Sequence, residues 1–344
     1  MTVLRTLAVL TALHLLLVPT GCRNQPTRNG DGNPSRVRIA FFPNVTHAAA
    51  LNASATGLFK KAVGDGIDVE ERVFSAGPLE IEALFAGEVD MGYIGPSPAL
   101  NGYSKSRGEA LWIVSGAASG GSGLVVRKGV PIRSIADLKG RPVAVPQTGG
   151  SQDISLRHAL STAGLKGYDR GGDVMIMPFN SSDAYARMKD GSIDAAWMAE
   201  PWLSRMVEDL DATVLIDERD LWPGKRFSTA VVVVRQQFAK ENPELVERLL
   251  AAHRESVADV RSHPDSARRR VGDRIAAASA GKRLPDNVLK SAMERTEITY
   301  DLLPESVLEF ADRAHALGYL REDRNGFSKA FTFQKPAEKS PRTQ

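Results

Sequence analysis

Four turns of this chain carry the residue types that could hold a small anion. They are Phe42-Pro43-Asn44-Val45-Thr46-His47, Gly95-Pro96-Ser97-Pro98, Gly116-Ala117-Ala118-Ser119-Gly120-Gly121-Ser122-Gly123 and Pro146-Gln147-Thr148-Gly149-Gly150-Ser151-Gln152. Most stand between a short apolar run and a helix-like pattern. The first N–H groups of a helix lack partners within it, and the helix dipole is positive there. An oxyanion satisfies both, glycine lets it reach the backbone, and Ser or Thr hydroxyls add neutral donors. At roughly 1.5–3 kcal/mol per charge-assisted hydrogen bond, several converging donors reach micromolar affinity, about 8 kcal/mol, without an arginine clamp. Each turn taken singly is equally ordinary capping and turn chemistry. The argument rests on several of them falling at one topological place.

An internal repeat points to that place. Gly87-Glu88-Val89-Asp90-Met91-Gly92-Tyr93-Ile94-Gly95 recurs as Gly191-Ser192-Ile193-Asp194-Ala195-Ala196-Trp197-Met198-Ala199. Each copy follows a helix pattern and precedes a proline near the next helix start. Two copies suggest two lobes with equivalent strand-turn-helix units, and in open α/β sheets ligands sit beyond the carboxyl ends of the strands. The second copy ends Ala199-Glu200-Pro201-Trp202. There Glu200 either interacts with its own helix dipole or limits which ligands fit by meeting an amino group. Trp202 is either a core aromatic or the wall for an organic tail. His47 closes the first turn and is either structural or a ligand contact.

The elements around these turns alternate. The sequence predicts strands at 37–42, 67–74, 89–94, 111–114, 124–127, 143–145, 174–177, 193–198, 214–216 and 231–234. Helices are expected at 48–61, 78–86, from about 97, and at 152–163, 182–189 and 201–208, with a mostly helical stretch from 243 to 320. Short, unalternating apolar strands separated by helices argue for α/β architecture with largely parallel sheets. The 344 residues suit about two domains. A mean hydropathy of −0.21 excludes a polytopic membrane protein. The 44 Lys and Arg against 41 Asp and Glu are interspersed, so no basic block reads as a nucleic-acid footprint.

Catalytic constellations do not stand out. Ser119 and Ser122 lie in a glycine-rich run without the Gly spacing of a nucleophile elbow, and the sequence nominates no base for them. A secreted serine hydrolase is therefore the remote alternative, and no catalytic residue is expected. Walker A, GxGxxG and His-Glu-x-x-His are missing. The six histidines are scattered and Cys22 is the single cysteine, so neither a metal site, a disulfide framework nor a cofactor is expected.

The amino terminus reads as an address. Arg5 is the only charge before Arg23, and the apolar run from Leu7 to Val18 is too short for a spanning helix. Residues 1–21 are expected to be a signal peptide. Val18-Pro19-Thr20-Gly21-Cys22 resembles the lipobox of bacterial lipoproteins, although Pro19 stands where Leu is usual. This makes Cys22 the lipidation candidate, residues 22–36 a flexible tether and residues 331–344 a tail. The alternative is plain cleavage and secretion.

Several segments together resemble one family. They are the Phe42–His47 turn, Ala83-Leu84-Phe85-Ala86-Gly87-Glu88-Val89-Asp90, Gly95-Pro96-Ser97-Pro98-Ala99, Ala136-Asp137-Leu138-Lys139-Gly140 and Glu200-Pro201-Trp202. From about Val37 to Leu320 the chain resembles the solute-binding lipoproteins of ABC importers, in the nitrate/taurine/aliphatic-sulfonate group of type II periplasmic-binding-protein folds. The resemblance implies two lobes, each a mostly parallel sheet flanked by helices, with the ligand cleft between them. Lobe 1 would be residues 37–124 and 230–330, and lobe 2 the inserted residues 128–222, with Gly123–Arg127 and Val231–Arg235 as crossover strands. It implies an exported, non-enzymatic monomer, periplasmic or outer-surface and lipid-anchored to the cell membrane, that serves an ABC permease and its ATPase subunit. The ligand would be a small organic oxyanion, an aliphatic sulfonate or taurine. Nitrate, a thiamine-pyrimidine precursor or a role as an extracytoplasmic sensor are the alternatives. The pocket carried over by position is Asn44, His47, Ser97, Ser119, Thr148, Gly149, Ser151, Gln152 and Glu200, with Trp202 beside it.

Overall fold

The structure is a computed structural model that describes residues 34–279, 283–331 and 333. The expected signal peptide, Cys22, most of the tether and nearly all of the tail lie outside the described residues.

The strands are β1 (Arg36–Phe41), β2 (Asp68–Val73), β3 (Met91–Ile94), β4 (Leu111–Gly120), β5 (Ser122–Val126), β6 (Pro142–Val145), β7 (Met175–Pro178), β8 (Ala195–Ala199), β9 (Thr213–Asp217), β10 (Ser228–Arg235) and β11 (Thr296–Ile298). They form two sheets, ordered β11-β4-β10-β3-β1-β2 and β7-β6-β8-β5-β9. Each sheet is the floor of one lobe. The first is covered on one face by Phe41, Leu51, Phe59, Leu249 and Val257 and on the other by Ile81, Leu100, Phe310 and Phe327. The second is covered by Leu138, Leu156 and Leu160 on one face and Met188, Leu203 and Met206 on the other.

Parallel pairing holds for β2-β1-β3 and for β7-β6-β8, the strands joined through helices. The remaining pairs are antiparallel, because β4, β5, β9 and β10 carry the chain between the sheets and back. The two sheets are thus mixed rather than mostly parallel.

The chain changes sheet at Gly120 and Gly121, both with positive φ (74° and 68°), and returns through residues 218–227. This corrects the expected crossovers. Residues 122–126 already pair within the second sheet, and β10 pairs throughout with β3 and β4 of the first. Apart from Gly121, the expected loop at 116–123 is likewise strand. Its glycines serve close backbone approach: a Cβ on Gly116 would overlap the Asp301 carbonyl, and one on Gly123 the Ile216 carbonyl. The single helix expected over 48–61 is two, Ala48–Ala55 and Leu58–Val63, broken where Gly57 turns left-handed at φ 72°.

Candidate functional site

Where the two lobes meet, a cavity of about 80 Å³ is lined by Phe42, Asn44, Thr46 and His47 from the first turn, Ser75 to Pro78 after β2, and Gly95 and Pro98 after β3. Lobe 2 contributes Pro146, Gln147, Gly150, Ser151 and Gln152 after β6, Ser181 after β7 and Ala199 at the end of β8, while Thr229 comes from β10. Room for one water takes about 10–15 Å³, so the space suits a compact ligand.

Three helices begin at this cavity without a capping side chain. They are Gly77–Phe85 behind Ala76, Pro96–Lys105 behind Gly95, and Ser151–Thr162 behind Gly150. Pro78, Pro96 and Pro98 bring no N–H, so the first-turn donors are the amides of Gly77, Leu79, Ser97, Ser151, Gln152 and Asp153, which have no acceptor within their own helices. One donor is already used across the cleft, where the Ser97 N–H donates to Ser151 Oγ at 3.3 Å. The lobes come close enough there that a Cβ on Gly95 would lie 2.8 Å from Ser151 Oγ. The Val45 N–H to Glu200 carbonyl bond, at 3.2 Å, is a second junction between the lobes.

Among the described residues, no Asp, Glu, Lys or Arg lines the cavity. His47 is buried, and its Nδ1 accepts the Phe42 N–H at 3.1 Å. An accepting Nδ1 puts the proton of the neutral ring on Nε2, which leaves His47 a donor. Burial pushes its pKa down to about 3. Glu80, in the first turn of helix Gly77–Phe85, is fully buried, and burial pushes its carboxyl well above the usual range. Asp153, in the first turn of helix Ser151–Thr162, pairs with Arg157 at 2.8 Å. The field at the site is therefore that of helix termini and neutral donors.

The structure brings Asn44, His47, Ser151 and Gln152 together at this cavity. Ser97 stands just behind it, buried, with its N–H held by Ser151. The other expected contacts lie elsewhere. Ser119 is a buried β4 residue whose Oγ accepts the Phe227 N–H at 3.2 Å, because the run expected to be a loop is strand. Thr148 points to solvent, and the Gly149 N–H is taken by Asp153 Oδ2 at 2.8 Å. Glu200 turns inward under its own helix, where its carboxylate accepts the Ser204 N–H at 2.9 Å and hydroxyl at 2.8 Å. Trp202 lines a neighbouring groove of about 590 Å³ with Pro43, Tyr185 and Arg205.

Of the residues that sequence reasoning left out, Ser75 to Pro78 follow the same pattern as the chosen turns, a strand end followed by a helix with proline in its first turn. Ser181 stands beside Asn180, which caps its helix by accepting the Asp183 N–H at 3.0 Å. Thr229 lies inside an apolar strand run and carries no local signal.

Residues 30–276 match the NMT1-like family. The chain belongs to this family. A putative binding protein of Brucella abortus is similar to this NMT1-like chain, at 34% identity over 223 residues. That match spans 64% of this chain and 65% of the relative, so somewhat under two thirds of the relative's length is covered. A putative aliphatic sulfonates-binding protein of Bacillus subtilis is 28% identical over 309 residues, 89% of this chain and 88% of the relative. Among solved structures, the alkanesulfonate-binding protein SsuA from Xanthomonas axonopodis pv. citri, bound to MOPS, superposes with a TM-score of 0.70 at 21% identity, over 85% of this chain and 96% of that one. The periplasmic nitrate-binding protein NrtA from Synechocystis PCC 6803 superposes with a TM-score of 0.71 at 15% identity, over 86% and 85%. The NMT1-like chain thus has the two-lobe fold of these binding proteins.

Proposed function

We propose that this NMT1-like protein is the solute-binding component of an ABC importer and that its ligand is a small organic oxyanion, an aliphatic sulfonate or taurine. The observation that carries the reading is the convergence of three uncapped helix N-termini, from both lobes, on a cavity without a charged side chain. Such a site stabilises a single negative charge through backbone dipoles and neutral donors. The sulfonate oxygens meet Asn44, Thr46, the His47 Nε2–H, Ser151 and Gln152 as the lobes close. The relatives named for sulfonates support the same ligand class.

In this reading the organic part leaves the cavity past Pro43 toward the groove beside Trp202. Cys22 carries the lipid that holds the exported protein at the cell membrane, and a permease with its ATPase receives the ligand. A second reading, nitrate, is favoured by the small volume of the closed cavity.

A thermal-shift panel of ethanesulfonate, taurine, nitrate, sulfate and bicarbonate tests both readings. A ligand at 100 times its Kd adds about 2.7 kcal/mol, which raises Tm by roughly 2 °C or more at this size. Stabilisation by ethanesulfonate or taurine supports the first reading, and stabilisation by nitrate alone replaces it with the second. Stabilisation by none of the five sinks both.

A further inference from the structure

Tyr319 lies outside the cavity, on the segment that follows helix Pro304–Ala316. That helix packs in the core of lobe 1, where Val307, Phe310, Ala311 and Ala314 join Ile81, Leu84 and Leu100, and the same cluster takes in Ile154 of lobe 2. Beside this apolar contact the Tyr319 hydroxyl donates to Asp153 Oδ2 in lobe 2 at 3.0 Å. The same oxygen accepts the Gly149 N–H at 2.8 Å, from the turn that opens helix Ser151–Thr162 onto the cavity. Asp153 Oδ1 is taken by Arg157 at 2.8 Å. The Tyr319 ring is held from lobe 2 as well: the Arg170 guanidinium stands 4.9 Å from its centroid, and a Cβ on Gly149 would touch it at 3.6 Å.

We infer that Tyr319 is an interlobe latch: its hydroxyl, bonded to Asp153, holds lobe 1 against the ligand-facing turn of lobe 2 and so slows opening of the clamp. The inference rests on the binding reading above for its effect on a ligand, but the latch itself is a contact between lobes. Tyr319 is a positioning residue, since it acts through Asp153 and Gly149 and does not line the cavity. Gly149 and Arg157 keep Asp153 paired when the hydroxyl is gone, so Tyr319→Phe removes one bond and keeps the ring contacts.

The test compares wild type and Y319F as full chains, with ethanesulfonate as the probe. Stopped-flow fluorescence is expected to show dissociation roughly tenfold faster in Y319F, from one hydrogen bond to a charged acceptor. The association rate should stay within twofold, as should not happen if the variant merely misfolds. Equal dissociation rates overturn the latch. If wild type does not bind ethanesulfonate, the latch is read without ligand. For that arm, spin labels at Lys61→Cys and Lys139→Cys, one on each lobe, on a Cys22→Ser background report the interlobe distance. A larger share of long distances in Y319F supports the latch, and superimposable distributions overturn it.

Discussion

The Phe42 backbone N–H donates to His47 Nδ1 at 3.1 Å while the two rings stack with centroids 4.7 Å apart. One contact thus settles both the charge and the orientation of the histidine. The lone pair on Nδ1 is occupied, so a second proton would have to displace a backbone hydrogen bond inside a buried pocket. With its pKa held down to about 3 by burial, the ring is a neutral Nε2–H donor between pH 5 and pH 8.

Replacing His47 by Ala is expected to weaken ethanesulfonate binding about tenfold, the worth of one hydrogen bond to a charged acceptor. The ratio of the two dissociation constants should be the same at pH 5 and pH 8, because wild-type His47 does not titrate in that window. Calorimetry at both pH values decides it. A ratio that grows as pH falls through 6.5 would show a charged imidazolium at the site and sink the neutral-donor account.

Gly95 has φ −69° and ψ 154°, a conformation open to any residue, so its lack of a side chain is a matter of space and not of backbone strain. A Cβ there would lie 2.8 Å from Ser151 Oγ in the closed clamp. Gly95→Ala is expected to push Ser151 out of its bond with the Ser97 N–H and to cost about 1–2 kcal/mol of closure. The dissociation constant should rise about tenfold with the unliganded Tm unchanged within about 2 °C. A drop in Tm without a change in affinity would mean that Gly95 serves packing within lobe 1 alone.

How much of this was legible follows from the range of the physics. The strand–helix alternation and the turns at Asn44, Gly95 and Gly150 are local, since an apolar run, a glycine and a helix start are neighbours in sequence. Their convergence on one cavity could be argued from the internal repeat. The glycine-rich run at 116–123 reads as a ligand loop although its glycines answer to Asp301 and Ile216, far along the chain, since composition does not distinguish close backbone approach from a ligand loop. Glu200 carries a site-like position but is withdrawn by Ser204, four residues on, whose hydroxyl and N–H both face its carboxylate. Tyr319 could not be found at all, since its partner Asp153 is joined to it only by the docking of the lobes.

Ser119 separates the two readings of that run. In β4 its Oγ accepts the Phe227 N–H, at the end of the segment that returns to lobe 1. Ser119→Ala leaves this buried N–H without its acceptor, which costs about 1–3 kcal/mol of stability. Urea unfolding should show the loss while the dissociation constant for ethanesulfonate stays within twofold. A loss of affinity with stability unchanged would return Ser119 to the ligand site.

Glu200 makes the last prediction, because its burial has a sign. Desolvation raises its pKa from 4.5 to about 7, against the Ser204 hydrogen bonds and Arg295, whose Nε lies 3.7 Å from Oε1. Between those two values the folded protein holds a proton that the unfolded chain has released, so this group makes stability fall as pH rises from 4.5 to 7 and leaves it lower above that. The full difference is about 3 kcal/mol. Glu200→Gln keeps an acceptor for Ser204 and cannot titrate, which removes this contribution and leaves in both proteins the opposing ones of His47 and of His253, a buried histidine whose pKa desolvation holds down to about 4. Denaturant unfolding of wild type and E200Q at pH 5 and pH 8 should therefore show a gap in favour of E200Q that widens by about 2–3 kcal/mol toward pH 8. A constant gap would mean that Arg295 keeps the carboxylate ionised throughout, and that the junction between Glu200 and Val45 is held by a permanent ion pair.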